Sequence, residues 1–353
     1  MSGVKTPLSG EWKKLFSDAT QFNQYSDVNK IEIENAILSD IKMSGVRFSG
    51  AIFENTDWES VSLFGATIKD SKFIGGKYRN AAFQKAIVEN TVFEGITFVN
   101  GDFQGATLKN VSFVNCNFGR ANFQYLEDSN IVFKGAVLEE VEFYESKADI
   151  QYIDSKLTEI EMMGVQSKER FVVRGSDVYD IDLNSSIIPH LEITDSTIKD
   201  AGFSGGKAKS LVMKNLKGAW QASGATIDEV IVENVETDVL LLAGVTAKSI
   251  KVSQAKISDS LLGSCECGDF EIANSNIKSI WNGGSRVTTF TIKNTELRGT
   301  RNENSRFGTF RLENVTLDGK FNFDYTQAEN MELVRVTKGP NFQFRGRDSN
   351  IQF

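Results

Sequence analysis

Every fifth residue from Val28 to Phe143 is large and apolar at 23 of 24 positions, Asp128 being the exception. The run passes through Phe48, Phe53, Trp58, Phe73, Tyr78, Phe83, Phe93, Phe98, Phe103, Phe113, Phe118, Phe123, Phe133 and Phe143, which include 12 of the chain's 26 Phe residues. Two residues earlier in each unit stands a small or aliphatic residue, as at Val46, Ala51, Ala66, Ala86, Val111, Cys116 and Ala121. Neither the 3.6 period of a helix nor the 2.0 period of a strand keeps phase with steps of five over such a length. The pattern fits a short straight segment with two inward residues flanking an outward one, followed by two residues that turn a corner. Four segments close a square coil of about 20 residues, and coils stacked at about 4.8 Å bond their backbones along the stack.

Beyond Phe143 the five-residue register fails and a 20-residue register continues. Its starts are Ile150, Phe171, Leu191, Leu211, Val230, Ile250, Phe270, Phe290, Phe310 and Met331. Four residues past each start stands a turn residue: Asp154, Gly175, Asp195, Asn215, Asn234, Gln254, Asn274, Asn294, Asn314 and Arg335. Asp and Asn suit a left-handed or Asx corner, and stacked Asn amides can also bond to one another. Asp70, Asn90, Asn110 and Asn130 read as the same column in the first half, an alignment that requires about four extra residues between Phe133 and Leu157. Column members predict about 16 coils.

The chain therefore reads as four stretches: an N-terminal cap (1–27), regular coils (28–147), irregular 20-residue coils continuous with the first (148–340), and a C-terminal cap or contact (341–353). Ser9 ahead of Trp12, Leu15 and Phe16 predicts a short capping helix. The tail, with Phe342, Phe344, Ile351 and Phe353, is either a last partial coil or a homodimer contact.

Gly105 to Leu108 (Gly-Ala-Thr-Leu), Arg120 to Phe123 (Arg-Ala-Asn-Phe) and Gly101 to Gly105 (Gly-Asp-Phe-Gln-Gly) resemble the units of pentapeptide-repeat proteins. The resemblance covers about residues 28–147, with Phe preferred to Leu at the centre. It implies an all-β fold, a right-handed quadrilateral β-helix. Some members of that family imitate duplex DNA and occupy topoisomerases such as gyrase.

Composition narrows the function classes. A single histidine, His190, rules out a paired-His zinc site and any mechanism with two imidazoles. Three cysteines (Cys116, Cys265 and Cys267) are too few for a disulfide framework. No cofactor or metal is called for. With a net charge of −8 and a pI near 5.1, nucleic acid is disfavoured as a partner. No run of about 18 apolar residues suggests a transmembrane segment. The chain reads as soluble and cytoplasmic by default, unless an export segment has been removed.

Few residues invite chemistry. His190, after Pro189, reads as a corner residue. Cys265 and Cys267 share one face of a strand and read as inward small residues, with a metal or strained link as the alternative. The Gly75-Gly76, Gly205-Gly206 and Gly283-Gly284 pairs read as turns rather than phosphate cradles. Glu139, Glu140, Glu142 and Glu145 read as a solvated face. Trp220 and Trp281, with Leu240, Leu241 and Leu242 between them, lie on a similar side of their coils. If outward, they make an apolar patch for a protein or sugar, the partner-binding residues being Trp220, Trp281 and Leu241.

The leading reading is a non-catalytic scaffold that binds a protein partner. DNA mimicry at gyrase is a second reading. Residues 28–143 carry 11 Lys or Arg against 15 Asp or Glu, a net of −4, whereas a six-coil stretch of duplex needs roughly 17 negative charges. A carbohydrate-binding or carbohydrate-cleaving β-helix, with Asp177, Asp180 and Asp182 as its acids, is a third.

Overall fold

A computed structural model describes residues 5–353 of the chain. The fold is a parallel β-solenoid of about 16 turns with two short helices. The chain divides into two compact units, Met1–Asp182 and Leu183–Phe353.

In the first unit the five-residue pattern becomes four short sides per coil. On the first side, Ile52–Glu54, Lys72–Ile74, Val92–Glu94 and Val111–Val114 pair parallel, so that Phe53, Phe73, Phe93, Phe113, Phe133 and Tyr152 form one column. The second side (Asp57–Glu59, Lys77–Arg79, Thr97–Val99, Asn117–Gly119) stacks Trp58 with Tyr78 and Phe98 with Phe118. The third is held by single bridges, Ser62 to Ala82, Asp102 and Asn122 in turn. The fourth forms its own sheet from Arg47–Ser49, Thr67–Lys69, Ile87–Glu89 and Thr107–Lys109.

Parallel registry puts each ring over a like ring. Phe93 and Phe113 stack with centroids 5.0 Å apart, Phe113 and Phe133 at 5.1 Å, and Phe103 and Phe123 at 4.5 Å. Rings on different sides meet edge-on instead, at 82° for Phe113 with Phe118 on the adjoining side and 81° for Phe113 with Phe103 on the opposite side, a favoured arrangement of the ring quadrupole. All these Phe side chains are buried. Asp128 breaks the column because it is exposed at φ 44° and pairs with Lys109 and Lys168, while its neighbour Ser129 turns in. Val28, the nominal first member, is 81% exposed, and the inward register begins at Ile31.

Corners turn through left-handed backbone, for example Asn90 (φ 50°), Asn110 (φ 52°) and Asn115 (φ 51°). Asn tolerates this region better than other non-Gly residues, and its amide also bonds along the stack. Asn90 donates to Asp70 (3.1 Å), Asn110 to Asn90 (3.0 Å) and Asn130 to Asn110 (2.9 Å).

This ladder corrects the column alignment. Asn130 pairs with Asp149, whereas Lys134, beside Gly135, pairs with Ile153, beside Asp154. The Asp70–Asn130 ladder therefore stands on a different corner from Asp154. No four-residue insertion exists: Ile131 pairs with Ile150 and Leu138 with Leu157, nineteen residues on. Every corner asks for the same residue types, so Asn alone does not say which corner it occupies.

The second unit keeps the five-residue inward register that the sequence pattern loses. Buried residues recur in pairs two apart: Val230 and Val232, Val235 and Thr237, Leu240 and Leu242, Val245 and Ala247, on to Phe310 and Leu312. What changes is chemistry, because Ser260, Asn282, Ser285, Thr300, Asn302 and Ser305 now take inward positions. Their hydroxyls are satisfied by backbone. Ser285 accepts from the Cys265 amide (3.1 Å) and donates to the Leu262 carbonyl (3.0 Å); Ser275 does the same with Ala255 and Ala273. Cys265 and Cys267 are likewise inward free thiols, and burial pushes them up to about 11 and about 12. Long strands such as Thr226–Leu241, Arg286–Arg301 and Arg306–Asn322 run around corners at Asn234, Asn294 and Asn314. Asn294 donates to Asn274 (3.0 Å), and Asn314 to Asn294 (2.9 Å).

At the N-terminal side, α1 (Gly10–Phe16) starts at Ser9, whose hydroxyl accepts from the Trp12 amide, and α2 (Ala19–Ser26) follows from an Asp18 cap. Phe16 and Phe22 are buried over Phe48, with centroids 6.3 and 5.1 Å from it. At the C-terminal side Ile351 is buried and the Phe353 ring meets those of Phe310, Phe323 and Phe344.

Two outcomes follow in urea unfolding. Phe113→Ala costs about 3–5 kcal/mol, because the cavity is walled by rings fixed on neighbouring coils, whereas Phe64→Ala, 45% exposed, stays within about 0.5 kcal/mol. Asn294→Ala costs about 1 kcal/mol from its strained φ and two lost amide bonds, and Asn294→Gly recovers the backbone part.

Candidate functional site

The third side of the second unit differs from its other sides in carrying no charge over five coils, residues 201–284. Its outward column holds Gly202, Gln221, Leu241 and Trp281, with the backbone pairing Gly202 to Gln221, Gln221 to Leu241, and Leu241 to Trp281 through residue 261. Beside that column stand Ser204, Ser223, Ala243, Gly263 and Gly283, with Gly244 (φ 70°) and Gly284 (φ 74°) among the corners. Charge returns one coil later, at Arg301 and Glu303. The surface is thus low in side-chain bulk on that flank and topped by one large ring, while the corner on its other flank carries exposed Val239 and the carboxylates Asp200 and Asp259.

Trp281 is 45% exposed. A Cβ on Gly283 would lie 3.0 Å from the Trp281 indole nitrogen, so the ring rests across a position that glycine leaves open. Leu241 is half-buried on the same column, two coils from Trp281 along the pairing. Trp220 is a correction to the expected patch. It pairs with Leu240, not Leu241, and a one-residue offset turns a strand side chain to the other face. It is 4% exposed, with its indole N–H lacking a partner among the described residues. Leu240 and Leu242 are inward too.

The first unit brings together acids that the sequence reading had kept apart. Glu142 pairs with Glu161, and Glu161 with Asp182, on three successive coils of the third side, and the corner beside them carries Glu140, Glu159 and Asp180. Tyr144 donates to Glu161, and that bond, with the neighbouring carboxylates, pushes its hydroxyl up to about 12. Arg120 pairs with Glu140 at 2.9 Å. The run Glu139 to Glu145 wraps around two sides rather than sharing one, and Asp177 pairs with Lys156 on the second side, away from Asp182. Stacking of residues 19 to 21 apart is the signal that identifies this edge.

The remaining candidates are structural. His190 is exposed, its Nδ1 2.8 Å from the Ser210 hydroxyl. Gly75, Gly76, Gly205 and Gly284 all have positive φ at corners. Among the described residues no group of three His, Cys, Asp or Glu side chains is placed to hold a metal ion.

Comparison with curated protein sequences gives no match. Among solved structures, the chain is similar to QnrB1, described as a plasmid-mediated fluoroquinolone resistance protein, at 17% identity and a TM-score of 0.27, over 62% of this chain and 92% of that one. It is similar to HetL, a pentapeptide repeat protein involved in heterocyst differentiation regulation from the cyanobacterium Nostoc sp. strain PCC 7120, at 13% identity and a TM-score of 0.19, over 64% and 90%. A likeness to the alginate lyase AlyF-OU02 in complex with G6 has 9% identity and a TM-score of 0.22, over 99% and 86%. Family models for a pentapeptide repeat region and for eight copies of the pentapeptide repeat match residues 66–143 and 41–76. Together with the buried five-residue columns of the same stretch, these matches identify residues 41–143 as a run of pentapeptide repeats.

Proposed function

We propose that the chain is a non-catalytic scaffold that docks a protein partner on the uncharged third side of its second unit, centred on Trp281 and Leu241. The observation that carries this reading is the contrast with the other sides of the same unit, which are laced by ion pairs between coils. Glu271 meets Lys293 and Arg311 meets Glu332 on the first side; Lys256 meets Glu236 on the second; Lys248 meets Asp228 on the fourth. An uncharged strip about 19 Å long from Gly202 to Trp281, with a Trp at one end and a charged rim at Arg301, Glu303, Asp200 and Asp259, has the composition of an interface core.

The gyrase-mimic reading draws less support from the first unit. Its acids are partly neutralised along the stack, by Lys69 on Glu89, Lys109 on Asp128 and Arg120 on Glu140. A carbohydrate-cleaving reading loses one of its three expected acids, because Asp177 pairs with Lys156 on the second side, away from Asp182 on the third.

Leu241→Glu and Trp281→Ala should each abolish co-purification of the partner from the source cell lysate while leaving the urea midpoint of the chain unchanged within error. Thr316→Glu, an exposed change on the second side, should leave capture intact. The same proteins recovered by all three variants would contradict the assignment of this face.

A further inference from the structure

On the fourth side of the second unit the outward column runs Glu266, Arg286, Arg306 and Gln327, one residue per coil. Next to it the side-chain wall is interrupted at Gly308. A Cβ there would lie 2.6 Å from the Thr288 carbonyl oxygen, so the position is confined to glycine and leaves a gap between Thr288 and Glu329. Around the gap lies a groove of about 600 Å³, lined by Arg286, Thr288, Arg306, Gly308, Gln327 and Glu329. Asn350 closes it, accepting from the Ala328 amide (2.9 Å) and donating to the Ala328 carbonyl (2.6 Å).

The guanidinium of Arg306 sits in this groove without an acceptor among the described residues. Every other arginine of residues 183–353 has one: Arg286 on Glu266, Arg298 on Glu296, Arg301 on Glu303, Arg311 on Glu313 and Glu332, Arg335 on Glu313, Arg345 on Asp324, and Arg347 on the Tyr325 hydroxyl. The Arg286 pair is exposed and solvent-screened, so a ligand group can compete with Glu266 for it. Two arginines on adjacent coils, about 4.8 Å apart along the stack, line one groove, and a guanidinium's donor fork suits carboxylate and phosphate oxygens. The lining carries two guanidiniums against the single carboxylate of Glu329, which suits one anionic group on an otherwise polar molecule and disfavours a polyanion. Its volume falls in the range of small-ligand sites.

We propose that this groove is an oxyanion site, in which Arg306, assisted by Arg286, binds the carboxylate or phosphate of a small hydroxylated ligand whose hydroxyls meet Thr288, Gln327 and Glu329. The site is separate from the docking face, on another side of the coil.

Titration calorimetry on the full chain tests it with two probes, glucuronate as a hydroxylated carboxylate and inorganic phosphate, against glucose as the uncharged control. Saturable binding of at least one anion is expected, and the arm that binds tells carboxylate from phosphate. Arg306→Ala and Thr288→Glu, which places a carboxylate in the gap, should each weaken it at least about tenfold. Trp281→Ala should leave it unchanged, so that this result and the partner test fail independently. Neither anion binding above the glucose control, or an affinity indifferent to Arg306→Ala in a variant with unaltered circular dichroism, would overturn the proposal.

Discussion

Parallel, in-register pairing at strand spacing forces every side chain to lie against the residue one coil away. The rest of the structure follows from that constraint. Inward, like meets like, and flat rings are rewarded because they stack at 4.5 to 5.1 Å while meeting the rings of adjoining sides edge-on. At corners the same geometry turns left-handed Asn residues into amide ladders. Outward, it sets unlike charges one coil apart, as in Lys69 with Glu89 and Lys256 with Glu236. A side without such pairs, like the third side between residues 201 and 284, is conspicuous for that reason.

The regular coils were legible because the inward positions there are filled by residues that rarely face water. The second unit was less so, although its inward register is the same. Ser260, Ser285, Ser305, Asn282 and Asn302 occupy core positions, and a sequence pattern that sorts by polarity counts them as outward. The serines are tolerated because a hydroxyl one coil away from a backbone amide and carbonyl is satisfied at once, as Ser285 is by Cys265 and Leu262, whereas Asn282 Nδ2 and Asn302 Oδ1 lack a partner among the described residues. The misplaced Asn130 column has a related cause: corner chemistry repeats at four corners, and only the backbone pairing of Asn130 with Asp149 tells them apart.

Site residues were legible only so far as parity was. Leu241 and Trp281 were read as lying on a common side and do share a column, but Trp220 is one residue out of phase and so belongs to the core. The stacked acids Glu142, Glu161 and Asp182 and the unpaired Arg306 were illegible for a different reason. Their neighbours are 19 to 21 residues away, and coil length varies by a residue from turn to turn, so that proximity depends on a count the local sequence does not contain.

The account rests on a stack whose coils keep registry straight through the polar-filled part of the second unit. Lys251 pairs with Glu271, then Thr291, Arg311 and Glu332, four coil steps in all. With spin labels on Lys251→Cys and Glu332→Cys, the three native thiols being buried, pulsed electron resonance should give one narrow distance near about 19 Å, the height of four coils. A broad distribution, or a distance far above that, would contradict the stack.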